Sequence, residues 1–277
     1  MGRDAPAHLH GEKDLMLPVL SAILSGLCLA GPAGGGEGGP SFLFQPSFCL
    51  DHVLRYPGEP YIPQPGDIIL RLDGARFWRI THWMALAFDP NGSAIVFARP
   101  DGNMALLEAG PNDTLWVRTL DVVPHCQEYA TAGRVWVRRR CVPLTPEQSC
   151  RLTEFALAQD GKRFALGRLG AQLTPFRHRG PIRTYFVGKP RGDRQRWFCS
   201  ELVTEACVAA GLLDAERTRP SATYPHDLFY GRSYNLFIDH HLDINAGWYP
   251  PARWTNDPRL YNPGGGDSHL LTGSPPP

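Results

Sequence analysis

The spacing of apolar residues changes character once along this chain, and that change divides it into a strand half and a helix half. Pro63-Gln64-Pro65-Gly66-Asp67 has turn chemistry and delivers the chain into Ile68-Ile69-Leu70, a short run with the density of a buried strand. His82-Trp83-Met84-Ala85-Leu86-Ala87-Phe88 is apolar throughout, as in a strand buried on both faces, and Asp89-Pro90-Asn91-Gly92 supplies its turn. Further strands are predicted at Ala94 to Ala98, Met104 to Glu108, Trp116 to Leu120 and Arg134 to Arg138, together a meander of antiparallel strands. From Thr145 the period becomes helical. Thr145-Pro146-Glu147-Gln148 combines a capping threonine, a proline at the first helical position and a capping-box glutamine. Leu152, Phe155, Ala156 and Gln159 continue the helix to a stop at Asp160-Gly161. A second helix is predicted from Phe198 to Leu213, where Cys199, Leu202, Val203, Ala206, Cys207 and Ala210 form one stripe and Ser200, Glu201, Thr204 and Glu205 lie off it. The pattern specifies an α+β fold, an antiparallel sheet packed against helices.

The remaining segments are defined more by composition. Leu15 to Ala30 is the one long apolar run, followed by Gly31-Pro32-Ala33-Gly34, and reads as a cleaved export signal with a membrane anchor or a buried helix as alternatives. Acidic residues before the run leave Met16 as an alternative start to Met1. The expected organisation is a signal or anchoring segment over 1–33, a Gly/Pro-rich linker over 34–48, a folded domain over 49–231, and a tail rich in Pro, Gly and aromatics over 232–277. With 28 Lys+Arg against 27 Asp+Glu the chain is close to neutral, so no overall charge points to nucleic acid or an anionic membrane as partner. The arginine-rich stretch from Lys162 to Arg196 reads as a solvated loop, or more sharply as a rim that favours anionic groups. Beyond Cys28 there are Cys49, Cys126, Cys141, Cys150, Cys199 and Cys207, without a CxxC pair or a zinc spacing. In an exported chain Cys126, Cys141 and Cys150 are candidates for pairing.

Candidate chemistry converges on Cys199. A thiol in the first turn of a helix gains from the unpaired amides and the dipole there, which favour thiolate, and the apolar stripe turns it towards the sheet. The bland alternative is a small buried hydrophobe, the reading adopted for Cys207. His82, opening the most apolar strand just after a polar turn, is the candidate base; His125, His226, His240 and His241 compete with it from loop or tail contexts. Glu108, closing a strand before Ala109-Gly110, is the candidate acceptor that would orient the imidazole, with Asp113 and Asp67 as weaker candidates.

Pro65-Gly66-Asp67-Ile68-Ile69-Leu70, His82 leading an apolar strand, Leu107-Glu108-Ala109 and Phe198-Cys199-Ser200-Glu201-Leu202-Val203 together resemble the permuted papain-like amidases of the YaeF/YiiX type, relatives of the NlpC peptidases. The resemblance spans about residues 63 to 210 and is most specific in the Cys-Ser-Glu-Leu-Val block. It implies a circularly permuted papain-like fold in which Cys199 attacks an acyl carbon, His82 is the base and Glu108 the polar partner. It departs from the family pattern at Trp83-Met84-Ala85, where a small apolar residue and then glycine are usual. The expected activity is cleavage of an amide or peptide bond, or an ester, with cell-wall peptides as a candidate substrate. That chemistry calls for no metal or organic cofactor. The alternatives are a lipid acyl hydrolase or acyltransferase using the same site, with Phe77, Trp78, Trp83 and Phe176 lining a groove, and an inert polymer-binding module.

Overall fold

The computed structural model describes residues 39–44, 54, 57–73, 88–110, 115–168, 174, 180–233 and 241–257. The chain is α+β. Its main sheet has eight strands: β1 (Phe42–Phe44), β2 (Glu59–Pro60), β3 (Ile68–Asp73), β4 (Gly92–Ala98), β5 (Met104–Ala109), β6 (Val117–Asp121), β7 (Gly133–Arg138) and β10 (Ala252–Thr255). They lie in the order β2-β1-β10-β7-β3-β4-β5-β6, every neighbour antiparallel. Two short strands, β8 (Arg163–Phe164) and β9 (Arg196–Trp197), pair parallel beside it. The helices are α1 (Val122–Ala132), α2 (Pro146–Gln159), α3 (Cys199–Ala209) and α4 (Pro225–Tyr230).

Helices cover both faces of the sheet. On one face Ile68, Leu70, Ile95, Phe97 and Leu107 pack with Leu152 and Phe155 of α2 and with Leu202, Val203 and Ala206 of α3. On the other, Ile69, Val96, Leu106, Val135 and Val137 meet Val122, Cys126 and Tyr129 of α1. Successive strand residues point to opposite faces, so a central strand covered on both sides must be apolar at consecutive positions. Ile68-Ile69-Leu70 reads as it does for that reason.

β4, β5 and β6 form the expected antiparallel run, with β3 directly beside β4, and the run then ends. Instead of continuing to the next strand, the chain forms α1, which crosses the second face, and β7 returns beside β3. Its signal was present: Val122, Cys126 and Tyr129 recur at i, i+4 and i+7 and are buried. The helix predicted from Thr145 forms as expected, with the Gln148 amide donating to Thr145 Oγ1 and the Gln148 side chain accepting from the Thr145 amide. The sheet also extends past 49–231, because β1 lies in the segment read as linker and β10 in the segment read as tail, paired Phe42 to Thr255. The His82 strand, Asp113, the Leu15 to Ala30 run and the aromatics Phe77, Trp78, Trp83 and Phe176 lie outside the described residues. Among the described residues no helix is long and apolar enough to cross a membrane.

Asp67, buried at the start of β3, accepts from the Arg140 amide at 2.8 Å, the Tyr61 hydroxyl at 3.0 Å and the Gln64 amide at 3.2 Å. Burial outweighs these donors and raises its carboxyl to about 6. Between the unfolded value, about 4, and about 6 the native state therefore binds a proton the unfolded chain does not. Stability from this group is present at low pH and lost as pH rises through about 6. Chemical denaturation at pH 5 and pH 7.5 should show the native chain on the order of 1 kcal/mol more favoured at pH 5 through Asp67 alone, a difference missing from Asp67→Asn. An unchanged pH slope in that variant would remove Asp67 as its source.

Candidate active site

Cys199 is the first residue of α3, as its place in the sequence predicted, and is 9% exposed. Phe198 before it is extended and has no side-chain acceptor, while Glu201 reaches back to accept the Phe198 amide at 3.4 Å. The thiol lies near Ser93, at the start of β4. Burial raises the thiol above the ordinary cysteine range; Arg71 and Ser93 pull it down, and Glu108 adds to the rise. The thiol is therefore held neutral, and its activation requires a base that removes the proton during attack. Cys207, two turns on, is pushed up to about 12 by burial, opposed only by Arg140.

Behind this position lies a buried polar network on the α1 face of the sheet. Arg71 on β3 and Glu108 on β5 pair at 3.0 Å, both almost fully enclosed. Glu108 Oε2 also receives the Tyr129 hydroxyl, and His125 Nε2 lies 3.0 Å away. His125 Nδ1 faces Glu128 at 3.0 Å, and the Arg71 guanidinium stacks over the Tyr129 ring at 4.5 Å. Two glycines make room for this packing: a Cβ at Gly92, directly across from Arg71 in the ladder, would meet the Arg71 side chain at 2.6 Å, and one at Gly110 would meet Glu108 Oε1 at 2.9 Å. Burial works against the Glu108 carboxylate, but Arg71, His125 and Tyr129 outweigh it and hold the group at about 2. It is ionised at any physiological pH.

The structure thus gathers Cys199, Ser93, Arg71 and Glu108 around the start of β4, the thiol on the α3 face and the carboxylate on the α1 face. Strand alternation sets the two faces, because Ser93 shares its side with Ile95 whereas Glu108 shares its side with Leu106. A carboxylate has about four acceptor sites, and the contacts just described fill three of those on Glu108. His82, the candidate base, and His240 lie outside the described residues. His125 belongs to the Glu108 network. His226 hydrogen-bonds through Nδ1 to the Asp89 carbonyl at 2.8 Å, and His241 lies 3.4 Å from the Thr223 hydroxyl. Asp67 stands at the opposite end of β3 from Arg71, four residues and about 13 Å away. Among the described residues no three His, Cys, Asp or Glu side chains converge closely enough to hold a metal ion.

No protein-family model matches the chain, and no curated protein matches it. Among solved structures, the crystal structure of the metalloprotein YiiX from Escherichia coli O157:H7 aligns with a TM-score of 0.39. The identity is 17%, over 67% of this chain and 92% of that one.

The polar residues off the α3 stripe, Ser200, Glu201, Thr204 and Glu205, are all buried, because other segments, that around Ser221 among them, cover that side of the helix. The arginine-rich stretch is in part what covers it. Arg168 and Arg194 pair with Glu201, and the amides of Arg191 and Gly192 donate to Glu205 at 2.6 Å. Neither arginine therefore serves as part of a solvated loop. Cys126, Cys141 and Cys150 form no disulfide with one another. Sequence reasoning passed over Arg71, Ser93 and Tyr129; an arginine one residue beyond the Ile68-Ile69-Leu70 run, on a strand with both faces covered, was the available signal that a buried anion must lie nearby.

Proposed function

We propose that the chain is an exported cysteine hydrolase of permuted papain-like fold that cleaves an amide or peptide bond, or an ester, through Cys199. The observation that carries this reading is the placement of one thiol at the first residue of a buried helix, beside Ser93, while the buried thiols of Cys126 and Cys207 lie within their helices. His82 takes the thiol proton as sulfur attacks the carbonyl carbon and delivers it to the leaving group as the C–N or C–O bond breaks. Water then adds to the thioester, the C–S bond breaks and the proton returns to sulfur. Backbone amides at the start of α3 are the candidate donors to the oxyanion. Glu108, ionised and anchored by Arg71, is the polar partner of the base, with one acceptor site beyond its described contacts to take an imidazole N–H. Cell-envelope peptides are the substrate class that export would present.

Chromogenic peptides, simple amides, esters and thioesters, assayed across pH 5 to 9, test the reading. Turnover of at least one is expected, with an acid limb that reports the base and disappears in His82→Ala. A chain inert towards every class would favour a binding module instead. Turnover of lipid esters alone would favour the acyl hydrolase alternative.

A further inference from the structure

Arg168 touches the residues on both sides of the thiol turn. It closes the short 3-10 turn Leu166–Arg168 just after β8, and its guanidinium reaches the first turn of α3 from outside. Nη1 and Nη2 form a two-pronged pair with Glu201, at 2.8 and 3.2 Å, and the same group lies over the Phe198 ring, 4.7 Å from its centre. Glu201 is fully enclosed and also receives Arg194 at 3.1 Å and the Ser221 hydroxyl at 2.6 Å. Phe198 in turn stacks edge-on against Phe164 of β8, and the Ala165 amide donates to the Trp197 carbonyl. One cation thus contacts both the ring of the residue before Cys199 and the carboxylate two residues after it. An arginine suits this task because its planar fork matches a carboxylate while its face stacks on an aromatic ring; a lysine has the charge without the fork.

We propose that Arg168 is a positioning residue of the thiol site: by gripping Phe198 and Glu201 together it fixes the first turn of α3 and with it the direction in which Cys199 presents its sulfur. The proposal rests on Cys199 being the nucleophile. It also gives the arginine-rich stretch a purpose other than contact with substrate, since Arg168 and Arg194 enter from its two ends and meet on one carboxylate of the helix that bears the thiol.

The test uses p-nitrophenyl acetate in excess over the full chain, followed in the pre-steady state. Sulfur attacks the acetyl carbon, the C–O bond breaks, nitrophenolate leaves and S-acetyl-Cys199 remains, so the rate constant for acylation and the half-saturating ester concentration are read separately. Arg168→Ala is expected to lower the acylation rate constant on the order of ten- to a hundredfold, the scale of a small misplacement of a reacting group, with half-saturation changed less than about twofold. Guanidinium ion added below denaturing concentration should restore part of that rate, an effect a purely structural role does not produce. Wild-type acylation in Arg168→Ala overturns the proposal while leaving the nucleophile reading in place. Should Arg168→Ala fail to fold, Arg168→Lys replaces it, with a rate constant at least about threefold below wild type expected and equality overturning the proposal. A wild-type chain with no burst, or a burst that survives Cys199→Ala, overturns the nucleophile reading and the positioning role with it.

Discussion

Cys199→Ala is expected to abolish turnover, by on the order of a thousandfold or more, because a covalent route has no substitute once its nucleophile is removed. The same change should leave the fold in place. It deletes one sulfur atom from a site otherwise filled by packed side chains, a loss of about 1–2 kcal/mol. Circular dichroism and a thermal scan of the variant check the second half of this expectation, and steady-state assays on any substrate found check the first. The contrast with Cys207→Ala is informative. Cys207 lies two turns along the same helix, is fully buried and belongs to the apolar core, so its removal should affect stability to a similar extent and turnover hardly at all.

Glu108→Ala should have the largest effect on stability, about 3–5 kcal/mol, the range expected when one member of a buried ion pair is removed and the other is left uncompensated. Arg71 would then be an enclosed cation without its carboxylate, and Tyr129 and His125 would lose the acceptor they share. Removing both charges together is a different matter. Arg71→Met with Glu108→Leu replaces the pair by apolar groups of similar volume and should recover most of the loss, since the cost lies in the unpaired charge and not in the absence of the bond. Urea unfolding of the two single variants and the double variant measures this directly; a double variant as unstable as the worse single one would contradict it. The acid side of the stability curve should change in step. Glu108 has a folded value of about 2, well below its unfolded value, so its contribution is present above about pH 4.5 and is lost as pH falls through about 2. Glu108→Gln should flatten that limb.

These two residues also mark how far the sequence could be read. Local signals were reliable. The capping box of Thr145 and Gln148 fixed the start of α2 because a cap is made by residues three apart, and the stripe from Cys199 to Ala210 fixed the face of α3 that meets the sheet. Signals that depend on distant partners were not legible. Glu201 and Glu205 sit off the apolar stripe, and nothing in that spacing shows that they are buried against Arg168, Arg194 and the Arg191-Gly192 amides, which arrive from a separate segment. In the same way β1 is three residues in a Gly/Pro-rich neighbourhood, and it becomes a strand through pairing with β2 and with β10, near the other end of the chain. Glu108 was picked out as a candidate acceptor from its place at a strand end. The tight ring of Arg71, His125 and Tyr129 around it needed the α1 crossing, which interrupts the expected meander.

The most direct measurement is the site of covalent capture. The chain is mixed with a reactive acyl ester, quenched in acid within the first turnover, digested and mapped by mass spectrometry, with Cys126, Cys141, Cys150 and Cys207 as internal controls. The expected result is an acyl mass increment confined to the peptide carrying Cys199, formed by the folded chain and much reduced in His82→Ala. Acyl groups spread over the cysteines in proportion to their exposure, or labelling of Cys199 no faster in the folded than in the denatured chain, would contradict it.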